Sequence, residues 1–147
     1  MKGFEQLREL QTFSKQFPSD LNALDQVLSW FGELHPSSIE TKVWLQCKLA
    51  LAEGYTNAVK YAQKDLPPSV SIEVEVILGQ SPQRLEIRVW DCGAPFDFER
   101  RLRTPPSLPA DQAEGGRGLA IMQKIADKLS YTRMDDNRNC LTIVKFY

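Results

Sequence analysis

Apolar and polar positions alternate most regularly in the middle of the chain. Val70, Ile72, Val74 and Val76 interleave with Ser71, Glu73 and Glu75, and Leu85, Ile87 and Val89 interleave with Glu86, Arg88 and Trp90. A period of two marks a strand with one face buried, and the turn residues Gly79-Gln80-Ser81-Pro82 between the runs predict an antiparallel hairpin. Extending the second strand by one pleat puts Asp91 in phase with Leu85, Ile87 and Val89, so a carboxylate is expected to face the core. Leu129 to Arg133 and Leu141 to Tyr147 read as two closing strands around an Asp135-Asp136-Asn137 turn.

Elsewhere the period is helical. Leu21, Leu24, Leu28, Phe31 and Leu34 predict an amphipathic helix over residues 20–34, ended by His35-Pro36. A second helix is expected from Ser37, with Glu40 completing a capping box, until Pro67-Pro68 forbids continuation. Leu119, Met122, Ile125, Ala126 and Leu129 predict a third, opened by Gly115-Gly116-Arg117-Gly118. Such glycines let backbone N–H groups surround an anion at a helix start. Residues 97–114, with Arg100, Arg101, Arg103, Pro105, Pro106 and Pro109, show no sustained period, the mark of a functional lid or a disordered loop. Near the start, Phe4, Leu7, Leu10 and Phe13 fit a helix whereas Phe13, Lys15 and Phe17 fit a strand, and periodicity leaves both open. Hairpins mixed with helices, without regular β-α-β alternation, favour an α+β fold, a two-layer α/β sandwich with helices on one sheet face.

The second helix carries an anomaly. Leu45, Leu49, Leu51, Ala52, Ala58 and Val59 make it apolar on nearly all sides, the signature of a buried helix, yet Glu53 and Asn57 stand four positions apart on one face. Burying a neutral amide without a partner costs roughly 2–7 kcal/mol, and a charge more. A hydrated divalent cation carrying nucleotide phosphates would meet both groups, since an amide oxygen is a hard ligand and Mg²⁺ keeps part of its water shell.

At 147 residues the chain fits one domain, 1–147, that needs no covalent staple. A net charge of −1 argues against a nucleic-acid binder held by charge. Cys47, Cys92 and Cys140 are an odd count without CxxC spacing, which indicates neither a disulfide framework nor a zinc site and fits a reducing cytoplasm. The start lacks an apolar signal core, and no run approaches the ~18 apolar residues of a membrane span.

Three blocks stand in order: Leu51-Ala-Glu53-Gly-Tyr-Thr-Asn57-Ala, Asp91-Cys-Gly93-Ala-Pro95-Phe96 and Gly115-Gly116-Arg117-Gly118-Leu119. Together they resemble the N, G1 and G2 boxes of the GHKL ATPases, whose Bergerat fold has a mixed, mostly antiparallel sheet. In detail they resemble the anti-sigma-factor serine kinases, over about residues 7–147. The resemblance implies a first strand near residues 8–17. It implies ATP and Mg²⁺ as cofactors, with Asn57 as metal ligand, Asp91 accepting the adenine amino proton, Gly93 admitting the base and Glu53 as general base. Gly115, Gly116, Gly118 and Leu119 would belong to the end of a lid over the phosphates, with Lys60 and Arg117 within reach of them. Tyr61 stands where several relatives carry a basic residue or His. The implied function is phosphorylation of an anti-sigma-factor antagonist on Ser and sequestration of a sigma factor or similar regulator, in transcription regulation, by a chain compatible with a homodimer.

Taken singly, each feature has a plainer reading. Glu53 alone reads as a helix-surface acid, Asp91 as a turn cap, the glycines as a hinge and the arginines as a solvated charge run. His35 reads as a loop residue without chemistry. Two rival functions remain beside the kinase: a silent nucleotide-binding module that regulates by sequestration, and the catalytic half of a histidine kinase. In the latter Asn commonly occupies the position of Glu53, and the G1 turn usually lacks Pro95-Phe96. A mechanochemical ATPase would need further domains.

Overall fold

The computed structural model describes residues 10–95 and 110–147, and for residues 110–117 the backbone only. The expectations for Phe4, Leu7, Phe96 and the arginines of 100–103 lie outside the described residues. The strands are β1 (Gln11–Phe17), β2 (Ile72–Gln80), β3 (Gln83–Asp91), β4 (Lys128–Arg133) and β5 (Asn139–Phe146), in the sheet order β1-β2-β3-β5-β4. Every pairing is antiparallel. The central hairpin forms as its alternation predicts, with Val74 opposite Val89 and Val76 opposite Ile87. Within the open segment, Gln11–Phe17 form a strand, which pairs with β2.

The inward row of the hairpin, Ile72, Val74, Val76, Leu85, Ile87 and Val89, is buried together with Leu141 and Ile143 of β5. Each such side chain contributes about 1.5–3 kcal/mol relative to exposure. The other face carries the charged row. There Trp90 Nε1 donates to Glu75 Oε1, and Arg138 lies 4.3 Å over the Trp90 ring while pairing with Glu73 at 3.0 Å.

Helix α1 (Leu24–Glu33) follows a 3₁₀ turn whose Asp20 caps Asn22 N–H. Its buried line is Ala23, Val27 and Phe31; of the expected face Phe31 is buried, Leu24 and Leu34 pack half-buried against the core, and Leu21 is exposed. Helix α2 (Thr41–Asn57) begins four residues later than the expected capping box. The reason is tertiary: Ile39 is buried and held in a turn by its N–H to Pro36 O, and His35 Nε2 meets Ile39 O at 2.7 Å. His35 also stacks on Trp44, which stacks on Phe31, so its role is structural. Nor is α2 buried all round, because Leu45 and Leu49 are 55% and 47% exposed while Trp44, Cys47, Leu51, Gly54 and Tyr55 face the core. Burial pushes the Cys47 thiol up to about 12. The Tyr55 hydroxyl shares its one proton between the carbonyls of Pro18 and Asp20, tying α2 to the exit of β1.

Helix α3 (Ala110–Ile125) corrects a second boundary. It starts five residues before Gly115, so the end of the stretch expected to be irregular is helical and the glycines lie inside the helix. Ala110, Gln112, Ala113 and Glu114 are good helix formers that carry no apolar period, so patterning could not reveal them. The layers are held closely where α2 crosses the sheet at Gly54, whose absent Cβ would sit 3.0 Å from Leu141 and 3.6 Å from Met122 and Val89. No helix among the described residues is long and apolar enough to cross a membrane.

Candidate functional site

The continued alternation of β3 carries Asp91 into the interior, where it is 2% exposed. A buried carboxylate needs donors, and three surround it. Gly93 N–H and Asn139 Nδ2 both donate to Oδ1 at 2.8 Å, and the Tyr131 hydroxyl donates to Oδ2 at 2.6 Å. Asn139 is the register partner of Asp91 across β3 and β5, so the two polar residues close the buried end of the sheet together. Its amide also reaches Gly93 O at 3.0 Å, where Arg133 Nη1 donates at 2.9 Å. Burial and the Asp91 carboxylate push the Tyr131 phenol well up, keeping its proton in place.

Sequence reasoning missed Tyr131, Arg133 and Asn139. A signal existed for Asn139, which is in phase with Leu141 and Ile143 and needed only one further pleat of β5. Tyr131 could be found only from the register that sets it opposite Leu141.

After Asn57 the helix widens into a π-helical turn, Ala58–Ala62, a local form often found at functional sites. Gln63, also missed, ends that turn fully buried. Its side-chain oxygen accepts Cys92 N–H at 2.8 Å and its amide donates to Val70 O at 2.9 Å. The turn after β3 is pressed so firmly on this element that a Cβ at Gly93 would lie 2.1 Å from Ala62 O. Gly93 therefore admits the neighbouring backbone.

Between these elements lies a cavity of about 390 Å³, in the range of small-ligand pockets. Asn57, Tyr61, Asp91, Gly93, Leu119 and Tyr131 are in its wall, with Val89, Met122 and Leu141 as apolar floor. Asn57 stands at its boundary with Glu53: a Cβ at Gly118 would sit 2.8 Å from Glu53 Oε2 and 3.6 Å from Asn57 Nδ2. The first and third sequence blocks thus meet at Gly118, and the second faces them across the cavity.

Other predicted residues are placed differently. Lys60 is on the π-turn, half-buried, with its ammonium 6.0 Å from the Tyr61 ring centroid and outside the cavity wall. Gly115, Gly116 and Arg117 are within α3, where N–H groups point to carbonyls one turn back. The anion cradle expected at a helix start is therefore not formed here. The Arg117 side chain lies outside the described residues. Asn57 suits a hydrated Mg²⁺, which takes few protein ligands, and no cluster of three His, Cys, Asp or Glu residues able to hold a metal occurs among the described residues.

Comparison with known proteins agrees with this geometry. The chain is 38% identical over 87 residues to the serine-protein kinase RsbW of Bacillus velezensis and 37% identical to that of Bacillus subtilis. Each match covers 56% of this chain and 52% of the relative, so the chain spans about half the length of the curated relatives it matches. The fold is similar to the RsbU and RsbW domains of a Mycobacterium tuberculosis protein, with a TM-score of 0.62 at 16% identity over 92% of this chain and 32% of that one. It is equally similar, with a TM-score of 0.62 at 11% identity, to a chain of the SiaB-SiaC complex from Pseudomonas aeruginosa, covering 99% of this chain and 96% of that one. The family described as histidine kinase-like ATPase domain matches residues 17–145, and the chain belongs to it.

Proposed function

We propose that this protein is an ATP-dependent serine kinase of a partner-switching system, which phosphorylates an anti-sigma-factor antagonist on Ser and sequesters a sigma factor or similar regulator in the cytoplasm. The observation that carries the reading is the meeting of Glu53, Asn57 and Gly118 beside a cavity whose far wall is the Asp91 carboxylate. Family membership supports nucleotide use, and the serine-protein kinases among the relatives support the acceptor class. A neighbour solved as a complex with a second protein is in keeping with a protein partner.

In this reading Asp91 accepts a hydrogen bond from the base amino group and the apolar floor packs the purine. Mg²⁺, held in part by Asn57, would neutralise phosphate charge. Glu53 orients the substrate hydroxyl and takes its proton, the one step in which protein chemistry adds to alignment and charge neutralisation. Lys60 and Arg117 are the cations assigned to the phosphates in this reading. Gly115, Gly116 and Gly118 lower the helical preference of the segment beside them, since each glycine destabilises a helix by about 1 kcal/mol relative to Ala.

Incubation with γ-labelled ATP and candidate antagonists is expected to label a serine. Binding of ATP without transfer to any of them would favour the silent module. Asn57→Ala is expected to weaken ATP binding at least about tenfold in Mg²⁺, the worth of a hydrogen-bonded or ligating contact to a charged group, and less in EDTA. Equal losses in both media would count against the ligand role.

A further inference from the structure

Tyr131 belongs to none of the three sequence blocks, yet it lines the cavity and holds Asp91. A phenol has one proton. With that proton on Asp91 Oδ2, the Tyr131 oxygen can act only as an acceptor toward anything entering the cavity. Among the described residues, the backbone and amide donors beside Asp91 are likewise directed inward: Gly93 N–H to Asp91, Cys92 N–H to Gln63, and the Asn139 amide to Asp91 Oδ1 and Gly93 O. We infer that Tyr131 is a specificity-determining residue, fixing this wall as acceptor-only so that the cavity takes purines with an exocyclic amine at position six and rejects their six-oxo counterparts.

The inference rests on the nucleotide reading above and adds to it the origin of base discrimination. A six-oxo base would set its carbonyl against oxygen atoms with no proton to offer, and such a mismatch is far more discriminating than a lost apolar contact. Replacing the phenol by Phe changes the proton count. Water taking the place of the hydroxyl can donate one proton to Asp91 and its second to a carbonyl, which the phenol cannot do.

Calorimetric titration with ATP, purine ribonucleoside triphosphate and ITP tests this. Wild-type protein is expected to bind ATP most tightly, the unsubstituted purine less tightly and ITP least. In Tyr131→Phe the ATP-to-ITP affinity ratio is expected to fall at least about tenfold, the worth of one hydrogen bond to a charged group. An unchanged ratio in a variant that still binds ATP overturns the role of Tyr131 and leaves the nucleotide reading standing. Wild-type protein that binds none of the three triphosphates overturns both. If the variant does not fold, the wild-type series decides, because equal affinity for ITP and the unsubstituted purine is incompatible with an acceptor-only wall.

Discussion

Asp91→Asn is expected to lose ATP affinity by about 100-fold or more while keeping its fold, and to bind ITP better than ATP. Asn has the shape of Asp, so its remaining oxygen can accept from Gly93 N–H and the Asn139 amide as Oδ1 does now. Its amide nitrogen then faces Tyr131 and donates to the phenol oxygen. The phenol proton, no longer needed at residue 91, turns toward the cavity, and an acceptor wall becomes a donor wall. The loss for ATP combines a missing charge-assisted hydrogen bond with two donors brought face to face, each effect worth roughly 1.5–3 kcal/mol. Asp91→Ala serves as the contrasting variant, because it strands the Gly93, Asn139 and Tyr131 donors together. It is expected to lose about 3 kcal/mol of stability, or roughly 6–12 °C in melting temperature for a chain of this size. Calorimetry with the two triphosphates and a thermal melt read all of this. Wild-type ATP affinity in Asp91→Asn would remove the carboxylate from base recognition.

Asp91 was legible in the sequence because a strand of period two allows a single phase, and Leu85, Ile87 and Val89 fixed it. The same logic made the hairpin and its inward row legible. Helix boundaries were not, since they are decided by partners far away in the chain. Ser37 and Glu40 have the spacing of a cap, but burying Ile39 in the core stabilises a turn there and moves the helix start to Thr41. Helix α3 reaches back to Ala110 through residues whose helical preference leaves no apolar stripe. Gly93 read as a place where backbone or ligand could come close, and the backbone does so at Ala62 O while Gly93 also lines the cavity. The donors on Asp91 were hidden for a further reason: a polar residue on a short strand shows its purpose only when strand pairing puts it beside another. The three blocks named residues that meet around one cavity, and tertiary pairing supplied what positions them.

Glu53→Gln is expected to slow phosphoryl transfer by ~10²–10⁴-fold and to leave the dissociation constant for Mg²⁺-ATP within about twofold. Gln matches Glu in size, so the crowded contact at Gly118 is preserved and Asn57 keeps its neighbour. What disappears is the ability to take a proton. Glu53 lies outside the wall that would hold the base, which is why binding and chemistry should separate in this variant. Placement matters as much as basicity here, since a general base acts only within hydrogen-bond reach of the proton it removes, and the bare Cα of Gly118 is what leaves space for the carboxylate at that point. Single-turnover transfer from γ-labelled ATP, beside calorimetry on the same preparation, gives both numbers. An unaltered rate would assign Glu53 to structure and leave transfer to alignment and charge alone. A parallel fall in rate and affinity would instead place Glu53 in nucleotide binding, because an interaction lost equally from ground state and transition state cannot be the proton transfer.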